Sequence, residues 1–140
     1  MENISISSLA LPSKTVSMEV PGYEGFMVDV NYLTKDEILR LRKICTTKKF
    51  GRSSRQIEES LDEERFTKEY IKSTVKGWSG FKVKYLRELM LTGPEIDAHD
   101  DDDEVGYSEE NALALANNSD TFDSWLMNVA GDLENFTKGR

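Results

Sequence analysis

The sequence predicts a mainly α (α+β) domain, about five helices behind an N-terminal β-hairpin, on three observations. Apolar residues alternate near the start of the chain, the period of two that a half-buried strand requires. Further on they recur at intervals of three and four, as on a helix that lies against a core. Capping boxes precede two of these runs, supplying side-chain oxygens to backbone N–H groups that have no partner inside a helix. With 140 residues, 38% of them apolar, the chain can build one core without metal or disulfides. Its single cysteine, Cys45, has no internal partner, which favours a reducing compartment.

Residues 1–12 have no period and close on Pro12, so they read as a flexible N-terminal arm. A single helical domain is expected over 13–137, with a three-residue polar tail, 138–140. Its hairpin, 13–33, follows from Val16, Met18 and Val20, then Pro21-Gly22-Tyr23-Glu24-Gly25, then Phe26, Val28 and Val30. The five-residue Gly-rich stretch is the turn. Thr34 with Glu37 three residues on opens a helix whose stripe is Ile38, Leu41, Ile44 and Cys45; it should end near Thr46.

Lys48 to Arg55 has no period and four cations, and reads as an exposed basic loop. Ser60 with Glu63 caps a second helix, with Phe66, Tyr70, Ile71 and Thr74 as its stripe, reaching about Lys76 and ending on a left-handed Gly77. Val83, Leu86, Leu89 and Met90 mark a third helix, stopped by Gly93-Pro94. Residues 95–106 hold seven acidic side chains in twelve positions, and repulsion among them predicts a solvated, mobile loop. Ser108 caps a helix through Ala116. After Asn117 to Asp120, the spacing of Phe122, Leu126, Val129, Leu133 and Phe136 predicts one final helix.

Candidate chemistry is sparse. Gly77-Trp78-Ser79-Gly80 lacks the Gly-x-Ser-x-Gly spacing of a nucleophile elbow, and the lone His99 sits in the acidic loop where nothing orients it. Setting Gly106 as the central glycine of a calcium loop puts Val105 at a ligand position and Ala112 where a bidentate Glu belongs. One His and one Cys make no zinc site. No enzyme activity, metal or cofactor is expected. No run of 18 apolar residues suggests a membrane span, and the N-terminus lacks the charged start and long apolar run of a secretion signal.

Charge is uneven. Residues 35–55 carry eight basic against two acidic side chains, and residues 56–140 carry nine basic against twenty. Such asymmetry marks a surface that meets partners. The cations have two readings: they are the solvent side of an amphipathic helix, or they meet phosphate or an acidic protein. The net charge of −8 makes nucleic acid an unlikely partner. The residues chosen for partner binding are Lys48, Lys49, Phe50, Arg52 and Arg55, with Tyr23 on the hairpin turn. Asp100 to Asp103 are expected to gate this basic stretch electrostatically.

The order of features resembles a known family. A Lys- and Arg-rich capped helix is followed by Phe66-Thr67-Lys68-Glu69-Tyr70-Ile71, then Val75-Lys76-Gly77-Trp78-Ser79-Gly80-Phe81, then Tyr107-Ser108-Glu109-Glu110-Asn111-Ala112-Leu113. Phe122-Asp123-Ser124-Trp125-Leu126 and Asp132-Leu133-Glu134-Asn135-Phe136 close the series. Over roughly residues 26–136 this resembles the tail assembly chaperones of long-tailed, siphovirus-type bacteriophages. The resemblance implies a small non-catalytic protein of the host cell cytoplasm that binds the tape measure protein and is absent from the mature virion. It also implies recruitment of the tail tube protein, in many such phages through a frameshifted C-terminal extension. A client with long unpaired apolar stripes needs temporary cover, and many copies per client would make weak self-association useful. The alternatives are a nucleic-acid-associated or regulatory protein using residues 35–55, and a minor structural tail protein.

Overall fold

The computed structural model describes residues 3–51 and 56–138, with the side chain of Lys49 outside that description. The fold is α+β. Among the described residues it has seven α-helices, two of them single turns, and five strands in two antiparallel sheets. The strand content exceeds the one hairpin expected.

That hairpin forms as its alternation requires. Strand β1 (Ser13–Glu19) pairs with β2 (Met27–Leu33) in the register Val16↔Val30 and Met18↔Val28. Val28 and Val30, two apart and on one face, are fully buried. Gly22 and Gly25 supply the positive φ of the turn, at 88° and 84°, a region that costs glycine nothing. The arm that precedes the hairpin is not wholly irregular: residues 6–9 form one exposed turn, α1 (Ile6–Leu9).

The second edge of β2 carries a strand that helical spacing conceals. Helix α3 (Glu63–Thr74) ends because Val75 turns extended, and β5 (Val75–Ser79) pairs antiparallel with β2, Val28 facing Trp78. Gly77 therefore lies inside a strand and is not a left-handed helix stop. The cap of α3 is Asp62, whose carboxylate accepts from the Arg65 N–H at 3.0 Å; Ser60, the expected cap, belongs to a strand described below. Asn31 joins sheet to helix: its amide donates to the Ser73 carbonyl at 2.9 Å, and its oxygen accepts from Thr15 at 3.0 Å.

Helix α5 (Glu109–Asn118) begins at the expected Ser108, which accepts from the Asn111 N–H. Ser119 then caps α6 (Asp120–Ala130), accepting from Phe122 at 3.1 Å. The single final helix is a correction: Gly131 ends α6, and Phe136 lies on a separate turn, α7 (Glu134–Thr137). Phe136 is still buried, against Tyr32 of β2 with ring centroids 5.2 Å apart, while Leu133 is exposed.

Helices α3 and α6 lie on β2, and α5 packs on both. An aromatic cluster forms the middle of this core. Phe26 stacks on Phe81 at 4.3 Å, with Phe122 beyond it at 6.3 Å. Trp78 meets Phe81 and Tyr107 edge to face, each at 5.3 Å. Its indole donates to the Val105 carbonyl, and the Tyr107 hydroxyl to the Val75 carbonyl, both at 2.9 Å. Each polar tip is thus paired, although both residues are only half-buried. The turn after Trp78 is tight: Gly80 has φ +68°, and a Cβ there would stand 2.0 Å from the Gly25 carbonyl oxygen.

The acidic segment is ordered by α4 (Val83–Leu89), not left to repel itself. Its first part is a 3-10 turn, Pro94–Ala98. Arg87 pairs with Asp97 at 3.0 Å and Asp101 at 3.4 Å, while Asp102 reaches Lys82 and Lys84 at 3.6 and 3.7 Å. Backbone bonds fix the loop as well: Val83 donates to Asp103, Lys84 to Asp101, and Val105 to Phe81. Its carboxylates are solvent-exposed, as the charge run predicts, but these bonds hold a segment expected to be mobile. The cations that answer it come from α4 and its N-cap residue Lys82, and the helix ends at Leu89, well before Gly93-Pro94.

Candidate functional site

The basic stretch grows out of a helix that never reaches the core. Helix α2 (Lys35–Ile44) starts at Thr34, whose hydroxyl accepts from the Glu37 N–H at 3.4 Å. Asp36 and Glu37 stand at its first turn and Arg42 and Lys43 at its last, each sign suited to the helix dipole. No residue of α2 is buried. Of the expected buried stripe, Ile38 and Leu41 are half-buried, Ile44 is 53% exposed, and only the capping residue Cys45 is enclosed. Leu39, off the stripe, is 52% exposed.

The expected basic loop is instead a ribbon. Strand β3 (Thr46–Phe50) pairs with β4 (Ile57–Leu61) in the register Thr46↔Leu61, Thr47↔Ser60, Lys48↔Glu59, Lys49↔Glu58 and Phe50↔Ile57. Its base is tied where the Asp62 N–H donates to the Cys45 carbonyl at 2.9 Å, and Thr46 donates to Arg42 at 2.7 Å. Near its far end the Gly51 N–H donates to Gln56 at 2.8 Å. Residues directly opposite in an antiparallel pair share a face. One face therefore carries Lys48 with Glu59, at 3.5 Å, and the pair Phe50 and Ile57, 67% and 66% exposed.

The partner-binding residues chosen from sequence thus separate. Lys48 and Phe50 stand on the ribbon, Lys49 is placed there by register, and Arg52 and Arg55 lie outside the described residues. Tyr23 belongs elsewhere. It is half-buried on the β1–β2 turn, edge-on to Tyr85 of α4 at 5.4 Å, and Tyr85 donates to the neighbouring Glu24 carbonyl. It is a packing residue. Of Asp100 to Asp103, expected to gate the basic stretch, Asp101 and Asp102 lie within ion-pair distance of Lys82, Lys84 and Arg87. What answers Lys48 is Glu59.

Sequence reasoning missed Ile57, Leu39 and Ile44 as exposed apolar groups. Ile57 had a signal: it is apolar in a polar run, and Ile57-Glu58-Glu59 answers Lys48-Lys49-Phe50 in reverse order, apolar to apolar and acid to base. The helix and the two-stranded ribbon that follows it each present apolar side chains among charged ones. Such a surface binds by apolar contact with a charged rim. The groups whose titration burial displaces lie in the body instead. Tyr70 and Tyr107 are held above the ordinary phenol range by burial, then by the carboxylates of Asp123 and Glu109.

Among the described residues no group of three or more His, Cys, Asp or Glu side chains is placed to hold a metal ion. Among them, too, no helix is long and apolar enough to cross a membrane. Comparison with protein families, with curated proteins and with solved structures finds no match.

Proposed function

We propose that the chain is a phage tail assembly chaperone, non-catalytic and acting in the host cell cytoplasm. It binds the tape measure protein, keeps it soluble, helps to recruit the tail tube protein, and is left out of the mature virion. The observation that carries this reading is the α2–ribbon segment, where Leu39, Ile44, Phe50 and Ile57 are each more than half exposed, while the N-terminal arm adds the exposed Ile4, Ile6, Leu9 and Leu11. Exposed apolar groups gathered on one part of a protein mark a place where it meets a partner. A long helical client with unpaired stripes supplies apolar side chains at intervals of three and four, the pattern that docks on such a surface.

The phosphate reading of the basic stretch loses support from the ribbon. Glu58 and Glu59 stand across from Lys49 and Lys48, so a phosphate chain approaching the strand meets carboxylates as well as amines. Co-expression with the tape measure protein of the same genome tests the proposal. The client should become soluble and co-purify, and apolar burial should let the complex survive high salt. A client that stays insoluble and unbound overturns the reading; retention of nucleic acid, lost steeply with salt, would replace it with the phosphate one.

A further inference from the structure

The N-terminal arm carries apolar groups left open to solvent. Ile4, Ile6, Leu9 and Leu11 are each about two thirds exposed or more, and no residue of α1 is buried. The hydrogen bonds from Ala10 to Ile6 and from Ser8 to Ser5 run inside the arm, so they hold its turn and not its place. A single helical turn is too short to persist on its own. From Asn3 to Ser13 the segment has no charged side chain, so the acidic body does not repel it. Its root is fixed: the Thr34 N–H donates to the Pro12 carbonyl at 3.2 Å, which ties the arm beside the first turn of α2.

Leu9 and Leu11 already share a groove of about 350 Å³ with Tyr32 and Phe136. Tyr32 also lines a second groove, of about 260 Å³, whose other walls include Ile38 and Leu39 of α2, Tyr70 of α3 and Ala130 of α6. From the neighbouring grooves, the fixed root and the uncovered arm we infer that the second groove is filled by the arm of the same chain, laid across Tyr32 with Ile4 and Ile6 against Leu39. Reach permits it. Ile4 is eight residues from Pro12, an extended span of about 27 Å, whereas Leu39 lies about 8 Å along α2 from Thr34. Tethering raises the effective concentration of the segment at the groove to about the millimolar range. Docking removes apolar surface from water on both sides of the contact, and the arm becomes a strap that shuts part of the α2 surface. Under the proposed function, on which this consequence rests, a client opens the strap to reach Leu39. The docking itself concerns this chain alone, so it can fail while client binding stands, and stand while client binding fails.

Binding of the dye ANS, which reports exposed apolar surface, gives the first test on the purified full chain. In a free arm, Ile4→Ser with Ile6→Ser removes exposed apolar groups and lowers the signal. In a strapped chain the same double variant uncovers the groove, and fluorescence should rise about twofold or more. No change, or a fall, overturns the inference. The second measurement uses two cysteine pairs built on Cys45→Ala under mild oxidation: Ser5→Cys with Lys35→Cys, which lines the second groove, and Ser5→Cys with Thr137→Cys, which lines the first. The disulfide to position 35 should close within the chain about tenfold faster than the one to position 137, since docking concentrates the arm at one groove. Equal rates mean a freely moving arm, and linkage only between chains means an arm seated on another copy; either result overturns the inference.

Discussion

The two sheets of this protein are built by the same hydrogen-bonding rule and serve different ends. Strand β2 has neighbours on both sides, helices against it, and Val28 and Val30 fully buried. Among the described residues strand β4 has one neighbour, and of its five residues only Leu61, next to the base, is even half-buried. Backbone pairing alone therefore does not decide stability, since a two-stranded ribbon is marginal in water without something to pack against. Burial makes the first sheet the body of the molecule. The second is held at its base, by the Asp62 to Cys45 bond and by the enclosed Cys45 side chain, and keeps its apolar groups available.

The largest expected effect is on the body. Phe26 is fully buried, stacked on Phe81 and backed by Phe122. Truncation by Phe26→Ala removes a large side chain from a close-packed site and should cost about 3–5 kcal/mol. Urea unfolding should show the midpoint falling with little change in slope. A loss under about 1 kcal/mol would mean that the aromatic cluster is not the centre of stability, and the contrast between the sheets would dissolve.

A pair of glycines sharpens the point with a smaller effect. Gly22 and Gly80 both have positive φ, 88° and 68°, but a Cβ at Gly22 meets nothing within 4 Å, whereas one at Gly80 strikes the Gly25 carbonyl. Gly22→Asn should cost little, because asparagine tolerates the left-handed region. Gly80→Asn carries the clash in addition and should lose on the order of 1–3 kcal/mol. Equal losses in thermal unfolding would show that the approach of β5 to the hairpin turn is not tight in solution.

How much of this was legible in the sequence follows from the same contrast. The β1–β2 hairpin was legible because one of its faces is buried, which imposes alternation on Val16, Met18, Val28 and Val30. The caps at Thr34 and Ser108 were legible because they are local chemistry, whereas the expected break over Asn117 to Asp120 narrows to Ser119 alone, which ends one helix and caps the next. Strand β5 was hidden. Val75 continues the spacing of Ile71 as a helix would, and only pairing with β2, distant in sequence, decides for the strand. The ribbon was hidden for the opposite reason: with no buried face it needs no alternation, so Lys48-Lys49 and Glu58-Glu59 look like loop residues. For the site, exposure of Phe50 was read correctly. Tyr23 was not, because a turn residue says nothing of Tyr85, sixty-two positions away, which packs on it.

The smallest effect on stability should accompany the largest effect on binding. Phe50 and Ile57 face each other across the ribbon with about two thirds of each exposed to solvent. Replacing both by Ser removes little that folding had buried, so unfolding free energy should change by no more than about 0.5 kcal/mol. The same pair offers a client the most exposed apolar groups of the α2–ribbon segment. Capture of the tape measure protein should therefore fall sharply in the double variant, measured as client kept in the soluble fraction. A large loss of stability would mean that the ribbon belongs to the body after all. Unchanged capture with unchanged stability would move the client to the rest of α2, where Leu39 and Ile44 remain. The fold separates the two quantities in space, so a substitution that moves one and not the other is the direct measure of that separation.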